Sequence, residues 1–288
     1  MVENLTDIGA IRQLLDRYGF RFSKALGQNF LINPTVCPRM AAASGASADT
    51  GVLEIGPGIG VLTKELAARA GKVVAVELDQ RLLPVLEETL RGAEHVKVIH
   101  GDIMKLDLAA LLREEFADRP VAVCANLPYY ITSPILMGLL ESRLPFTTIT
   151  VLVQKEAAQR LCARPGTREG GAVTLAVQYY AEAHTLFSVS RGSFLPAPKV
   201  DSAVMQLRIR PEPLCRVKDG ACLFRLVRAA FGQRRKTLAN SLTGAGLTKE
   251  EVGAALMIAG IDPQLRAEQL TLEQFAALSD AVTERKAG

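Results

Sequence analysis

No tryptophan occurs among the 288 residues, histidine occurs three times, and the five cysteines (Cys37, Cys124, Cys162, Cys215, Cys222) include no C-x-x-C pair. A disulfide framework needs an even set and a zinc site needs clustered ligands, so neither is expected and no metal is predicted. No apolar run approaches the roughly 18 residues of a membrane span. The first segment, MVENLTDIGAIRQLL, has acids where a secretory leader has its basic stretch. These absences predict a reduced, cytoplasmic protein with no membrane partner. Acidic excess is missing too: 34 Lys+Arg stand against 30 Asp+Glu, a formal net charge of +4. With 49% hydrophobic and 22% charged residues, the chain has enough apolar side chain to bury a core and is not a self-repelling disordered one.

The positive excess is unevenly placed. Residues 1–190 hold 19 basic and 20 acidic side chains, whereas residues 191–288 hold 15 and 10. Arg191–Lys236 alone carries 11 basic residues and three acids. Such a segment fits a polyanionic partner, the plainer alternative being a solvated basic helix face.

From Gly51 onward, β-branched runs alternate with Leu/Ala-rich stretches. VLEIG, VVAVELD, VKVIHGD, VAVCANLP and TITVLVQ read as strands; GVLTKELAARA, RLLPVLEETL, DLAALLREE and SPILMGLLES read as helices. Strands apolar on both faces belong to a parallel sheet covered by helices, with right-handed connections. The predicted fold class is α/β, doubly wound. Beyond Gln154, KEAAQRLCA predicts a short helix and Arg164–Gly171 a loop, while HTLFSVS and SAVMQLRIR predict antiparallel strands at the sheet's edge. RPEPLCRVKDG, with Pro211 and Pro213, reads as a linker. After it, CLFRLVRAAFGQRRKTLANSL, TKEEVGAALMIAG and TLEQFAALSDAVTERK predict helical segments broken at Gly244/Gly246 and Asp262-Pro263. The expected organisation is one domain over residues 1–210, with a helical N-terminal extension over 1–50, and a small all-α domain over 211–288.

Chemistry concentrates at the carboxyl ends of the predicted strands. Glu54-Ile55-Gly56-Pro57-Gly58-Ile59-Gly60 joins the first of them to a helix, and glycines there let the backbone turn tightly or approach a ligand. The segment matches neither a phosphate-binding P-loop nor the dinucleotide fingerprint, so phosphate binding is disfavoured. The second strand ends in Glu77-Leu78-Asp79, and a carboxylate there can accept from both hydroxyls of a ribose. The third ends in Gly101-Asp102, and Asp102 can accept from an adenine amine. Each acid alone is more often a helix N-cap than a ligand contact. Turn, acid and acid on three successive strand ends point to an adenosyl ligand.

The fourth strand ends in Asn126-Leu127-Pro128-Tyr129-Tyr130. An adenine amine is a poor nucleophile because its lone pair is delocalised into the ring. Two acceptors on its N–H groups, the Asn126 side-chain oxygen and the Leu127 carbonyl, favour sp³ character and aim the lone pair at a methyl donor. Pro128 fixes the backbone, and Tyr129 offers a face for the base, worth roughly 1–3 kcal/mol. The plainer alternative is a turn after a buried strand with Tyr129 as a core aromatic.

With these segments in view, the chain resembles the rRNA adenine N6-dimethyltransferases, and among them the branch acting on small-subunit (16S) rRNA. The resemblance runs from about Phe22 to about Leu270 and includes Leu26-Gly27-Gln28-Asn29-Phe30-Leu31, Gln154-Lys155-Glu156, Phe194-x-Pro196-x-Pro198-Lys199-Val200-Asp201-Ser202, Phe231-x-Gln233-Arg234-Arg235-Lys236-Thr237-Leu238 and Asn240-Ser241-Leu242. It implies a Rossmann-like methyltransferase sheet and S-adenosyl-L-methionine as methyl donor. The cofactor set it implies is Asn29, Leu31, Gly56, Gly58, Glu77, Asp102 and Asn126. The implied reaction is dimethylation of two adjacent adenines in a hairpin loop of 16S rRNA within an assembling small subunit. Phe194, Lys199, Arg234, Arg235 and Lys236 are the expected RNA contacts, with Phe194 and its prolines walling the base pocket and the basic cluster neutralising phosphates. No DNA-reading element is visible, and a monomer is expected. The alternatives are a resistance-type enzyme of large-subunit rRNA and a non-catalytic RNA-binding assembly or transcription factor on the same fold. Many relatives carry Tyr-Gly-Arg-Leu-Ser where this chain reads Gly170-Gly171-Ala172-Val173-Thr174, which puts an RNA contact from that loop in doubt.

Overall fold

The computed structural model describes residues 4–23, 25–163, 170–233 and 235–287. In chain order the elements are α1 (Ile8–Arg17), β1 (Phe30–Leu31), α2 (Val36–Ala43), β2 (Gly51–Ile55), α3 (Val61–Ala67), β3 (Lys72–Glu77), α4 (Leu83–Thr89), β4 (Val96–His100), α5 (Leu108–Phe116), β5 (Val121–Asn126), α6 (Thr132–Glu141) and β6 (Phe146–Gln154). They continue with α7 (Lys155–Leu161), α8 (Ala172–Tyr180), β7 (Ala181–Val189), β8 (Phe194–Leu195), β9 (Ser202–Ile209), α9 (Gly220–Gly232), α10 (Leu238–Ser241), α11 (Lys249–Ile258) and α12 (Leu272–Ala287).

Seven strands form one sheet in the order β4-β3-β2-β5-β6-β9-β7. The first five run parallel and β9 is antiparallel to β6. This is a doubly wound α/β sheet of Rossmann-like type. All five residues of β2 are buried, as are the last five of β3 and the first five of β5. Helices on both faces account for the unbroken apolar runs, because a strand covered twice has no wet side to carry polar residues. From β2 the chain winds outward through β3 to β4, then returns to lay β5 on the other flank of β2. That reversal opens a crevice at the carboxyl ends of β2 and β5, where α/β sheets hold ligands.

A two-stranded ribbon lies outside the main sheet: β1 pairs antiparallel with β8, Phe30 opposite Leu195 and Leu31 opposite Phe194. Two-residue strands have no periodicity to read, so the sequence does not announce this pairing. It also corrects one expectation. Phe194 is 3% exposed and packs with Leu31, Val36, Met40 and Val204 in the apolar core. Its ring is core packing and not a wall offered to RNA, since pairing with β1 turns it inward.

The chain divides into two compact units, one comprising the residues up to Ala158 with His184–Ile209, the other Gln159–Ala183 with the chain from Arg210 onward. The single cut at residue 210 expected from sequence therefore differs from the structure. α8 joins α9 through aromatic contacts, with Tyr179 and Tyr180 ring centroids 5.4 and 5.3 Å from that of Phe224. Seven of the nine residues of α8 are buried, so it has no polar face and no helical period to betray it. Of the loop read over Arg164–Gly171, residues 164–169 lie outside the described residues. The segment read as one helix from Cys222 to Leu242 is interrupted: α9 ends at Gly232, α10 begins at Leu238, and Arg235 and Lys236 lie in the turn between them.

Candidate active site

After β2 the backbone passes through φ values of +69° at Gly56 and +61° at Gly58, the left-handed region that a side chain resists. At Gly58 space is short as well, since a Cβ would sit 3.2 Å from the Phe30 ring. The turned backbone sends the Gly58 N–H to Glu77 Oε2 (3.1 Å), while the Asp79 N–H donates to Oε1 (2.8 Å). Glu77 is 6% exposed; burial raises its carboxyl's proton affinity and these backbone donors pull it back. A carboxylate oxygen has two lone-pair directions. Backbone donors from Gly58, Asp79 and Leu78 are directed at this carboxylate, and its remaining acceptor capacity suits a ribose hydroxyl. Asp79 accepts from Gln28 Nε2 (2.7 Å) and from Arg81, tying the end of β3 to the loop before β1.

Asp102 follows β4. Its Oδ1 accepts the Met104 N–H at 3.0 Å, and its Oδ2 stands 3.6 Å from Lys105 Nζ. The half-buried carboxyl thus shapes a turn while lining the same pocket as Glu77.

Asn126 closes β5. Its Nδ2 donates to the backbone carbonyl of Asn29 at 3.1 Å. A carbonyl only accepts, so the amide's orientation is decided: the NH₂ faces residue 29, and Oδ1 is the group left for a ligand's N–H. The Leu127 N–H is taken by the Leu152 carbonyl of β6 at 3.1 Å, and the Pro128 carbonyl accepts from Ile131 and Thr132 at 3.2 Å each. Among the described residues nothing donates to the carbonyl of Leu127. Tyr129 is half-buried, and its hydroxyl lies 2.6 Å from Ser202 Oγ. Burial raises the phenol's proton affinity against the lowering effect of Ser202.

One pocket is lined by Asn29, Leu31, Gly56, Gly58, Glu77, Asp102, Asn126, Leu127, Pro128 and Tyr129, so the residues expected for cofactor and catalysis are brought together. The expected RNA contacts are not gathered there. Phe194 is interior, Lys199 is exposed on the loop before β9, and Arg235 and Lys236 are exposed in the second unit. Arg234 lies outside the described residues. Three contributors carry no role in the sequence reading. Gln28 braces Asp79, Ser202 holds Tyr129, and Glu54 lines the pocket from β2. For Glu54 the signal is its isolation: a lone acid inside the buried run VLEIG.

A parallel sheet with a glycine turn, a buried acid at the next strand end and an acceptor-bearing Asn-Leu-Pro-Tyr turn around one crevice is the arrangement of S-adenosylmethionine-dependent methyltransferases. The ribosomal RNA adenine dimethylase family model matches residues 19–284. The chain belongs to that family. It is 49% identical over 287 residues to the ribosomal RNA small subunit methyltransferase A of Geobacillus thermodenitrificans, covering 98% of each chain. Among solved structures it resembles a dimethyladenosine transferase from Plasmodium falciparum, with TM-score 0.70 and 26% identity over 86% of this chain and 95% of that one. It also resembles a 23S rRNA methyltransferase, with TM-score 0.63 and 31% identity over 88% of this chain and all of the other. Among the described residues no helix is long and apolar enough to cross a membrane.

Proposed function

We propose that this enzyme dimethylates N6 of two adjacent adenines in a hairpin loop near the 3′ end of 16S rRNA, within an assembling small ribosomal subunit, as a cytoplasmic monomer. The observation that carries the chemistry is the bond from Asn126 Nδ2 to the Asn29 carbonyl, which leaves Oδ1 as an oriented acceptor beside the Leu127 carbonyl. S-adenosylmethionine, the family's methyl donor, supplies an electrophilic methyl group when bound. Glu77 holds its ribose, Asp102 its adenine amine, and the turn at Gly56 and Gly58 lets the backbone approach it, with Asn29 and Leu31 closing the pocket.

Asn126 Oδ1 and the Leu127 carbonyl accept from the target amine and draw its lone pair out of conjugation. Tyr129, held at its hydroxyl by Ser202, presents a ring face to the base. No ionising general base is required, because the proton is acidic once nitrogen carries the new methyl and leaves to water. In the second transfer a single N–H remains, and one of the two acceptors takes it while the methyl occupies the place of the other hydrogen.

Reading an unpaired base requires lifting it out of a structured loop, so binding must come largely from the RNA backbone. Lys199, Arg235 and Lys236 are exposed cations suited to that task. With Arg235→Ala and Lys236→Ala combined, RNA affinity is expected to fall and the slope of log Kd against log salt to shrink by about one to two, with cofactor affinity unchanged. A filter-binding salt titration checks this, and an unchanged slope would remove these residues from the interface.

The small-subunit target is supported by the near-full-length likeness to small subunit methyltransferases over the likeness to a 23S rRNA enzyme. The deciding experiment incubates the protein with labelled S-adenosylmethionine and unmethylated small or large subunits, followed by nucleoside analysis. Dimethyladenosine from small subunits alone is expected. Product from large subunits would reassign the substrate, and RNA binding without product would leave a non-catalytic assembly factor.

A further inference from the structure

Glu54 sits in the middle of the sheet on β2, is 0% exposed, and lines the pocket just before the glycine turn. Among the described residues neither carboxyl oxygen has a partner in hydrogen-bond geometry. A carboxylate so placed is among the most costly groups a protein can bury, because nothing replaces the water it loses. Its surroundings offer one polar side chain. Thr63 of α3, whose own hydroxyl is likewise unpartnered, is the hydrogen-bonding group that faces it. Cys37 of α2 and Cys124 of β5 stand close enough to feel its charge, and burial drives both thiols up, so they face it as neutral groups. Glu77 of β3 adds like charge. Burial first, and Glu77 after it, push the Glu54 carboxyl up to about 8, with Thr63 opposing. At neutral pH the acid is held in its uncharged form.

The family's methyl donor is a sulfonium, and loss of its methyl leaves a neutral thioether. The C–S bonding pair stays on sulfur, so one positive charge disappears from the site at each turnover. We propose that Glu54 answers that change as a proton-exchanging counter-charge: it ionises when the sulfonium donor binds, takes a proton back once the thioether remains, and so makes discrimination between donor and product increase with pH. The inference rests on the placement of the cofactor in this pocket. Its balance is closed: donor binding sends one proton from Glu54 to solvent, and product formation returns one from solvent, separately from the proton that leaves the methylated amine.

The sign follows from linkage. Below the folded-state value of about 8 the donor must drive off a proton to gain its counter-ion, so its affinity falls as pH falls; above that value the carboxylate is ready-made and affinity levels off. The neutral thioether gains nothing from the charge.

Calorimetric titration with S-adenosylmethionine and with S-adenosylhomocysteine, between about pH 6 and pH 9 in buffers of different ionisation enthalpy, reads this directly. For wild type the donor is expected to release about one proton more than with Glu54→Gln at neutral pH, and its Kd to change by up to about tenfold per pH unit relative to that variant. The ligands' own amino groups titrate in both proteins and cancel in the comparison. Equal proton release by wild type and variant overturns the proposal. If neither ligand binds wild type, the cofactor placement itself fails and the proposal with it. Wild type alone supplies an independent reading through the infrared stretch of a neutral carboxyl. The band should be present without ligand, lost with the donor and kept with the thioether; a band indifferent to the donor overturns the assignment.

Discussion

Asn126→Ala is expected to lower the rate of methyl transfer by about a hundred- to a thousand-fold, the loss seen when one preorganised hydrogen-bonding group aimed at a transition state is removed. Asn126 is the residue at which the effect should be largest, because its acceptor is oriented before substrate arrives. The Asn29 carbonyl holds the amide nitrogen at 3.1 Å, so no rotation is needed at the moment of reaction. Alanine also leaves that carbonyl without its partner, a cost of about 1 kcal/mol to stability that the surrounding sheet tolerates. RNA affinity should stay within about twofold, since phosphate contacts elsewhere supply most of it. Single-turnover rates with labelled donor, set beside binding of the same RNA, separate the two. Equal loss of binding and rate would assign Asn126 to holding RNA and not to activating the amine.

Glu77→Ala is expected to raise the Kd for S-adenosylmethionine by roughly a hundredfold or more, two hydrogen bonds to a charged acceptor being worth about 1.5–3 kcal/mol each. The alanine removes the acceptor for the Gly58 and Asp79 N–H groups as well as for the ligand, and the glycine turn loses its tether to β3. Glu77→Gln is a sharper probe. Both carboxylate oxygens already face backbone donors, so an amide nitrogen in either place sets donor against donor. Acid should reproduce part of the effect in wild type. Because burial raises this carboxyl above the ordinary range, affinity should begin to fall at a higher pH than an exposed glutamate would dictate. Titration calorimetry with S-adenosylhomocysteine checks both variants, and near-wild-type affinity in Glu77→Ala would place the ribose elsewhere.

The sequence by itself determined the α/β class, the parallel strands and the strand-end motifs, because each rests on local chemistry: both-face burial writes continuous Val, Ile and Ala runs, and a tight turn before a helix writes glycine. Arg235 and Lys236 read as part of one continuous helix when they lie in a turn, since Gly232 ends α9 in a place that helical spacing alone did not mark. The tertiary structure decided what depends on residues far apart in the chain. The ribbon of β1 and β8 buries Phe194 and brings residue 29 against Asn126, 97 positions away, so the amide's orientation is a property of the fold. Ser202 meets Tyr129 across 73 positions for the same reason. α8 groups with the C-terminal helices because Tyr179 and Tyr180 reach Phe224. Glu54 is the plainest case. Its letter in VLEIG says only that an acid is present, while its unpartnered burial beside the pocket, and the proton it therefore keeps, arise from neighbours on four other elements that only folding brings to it.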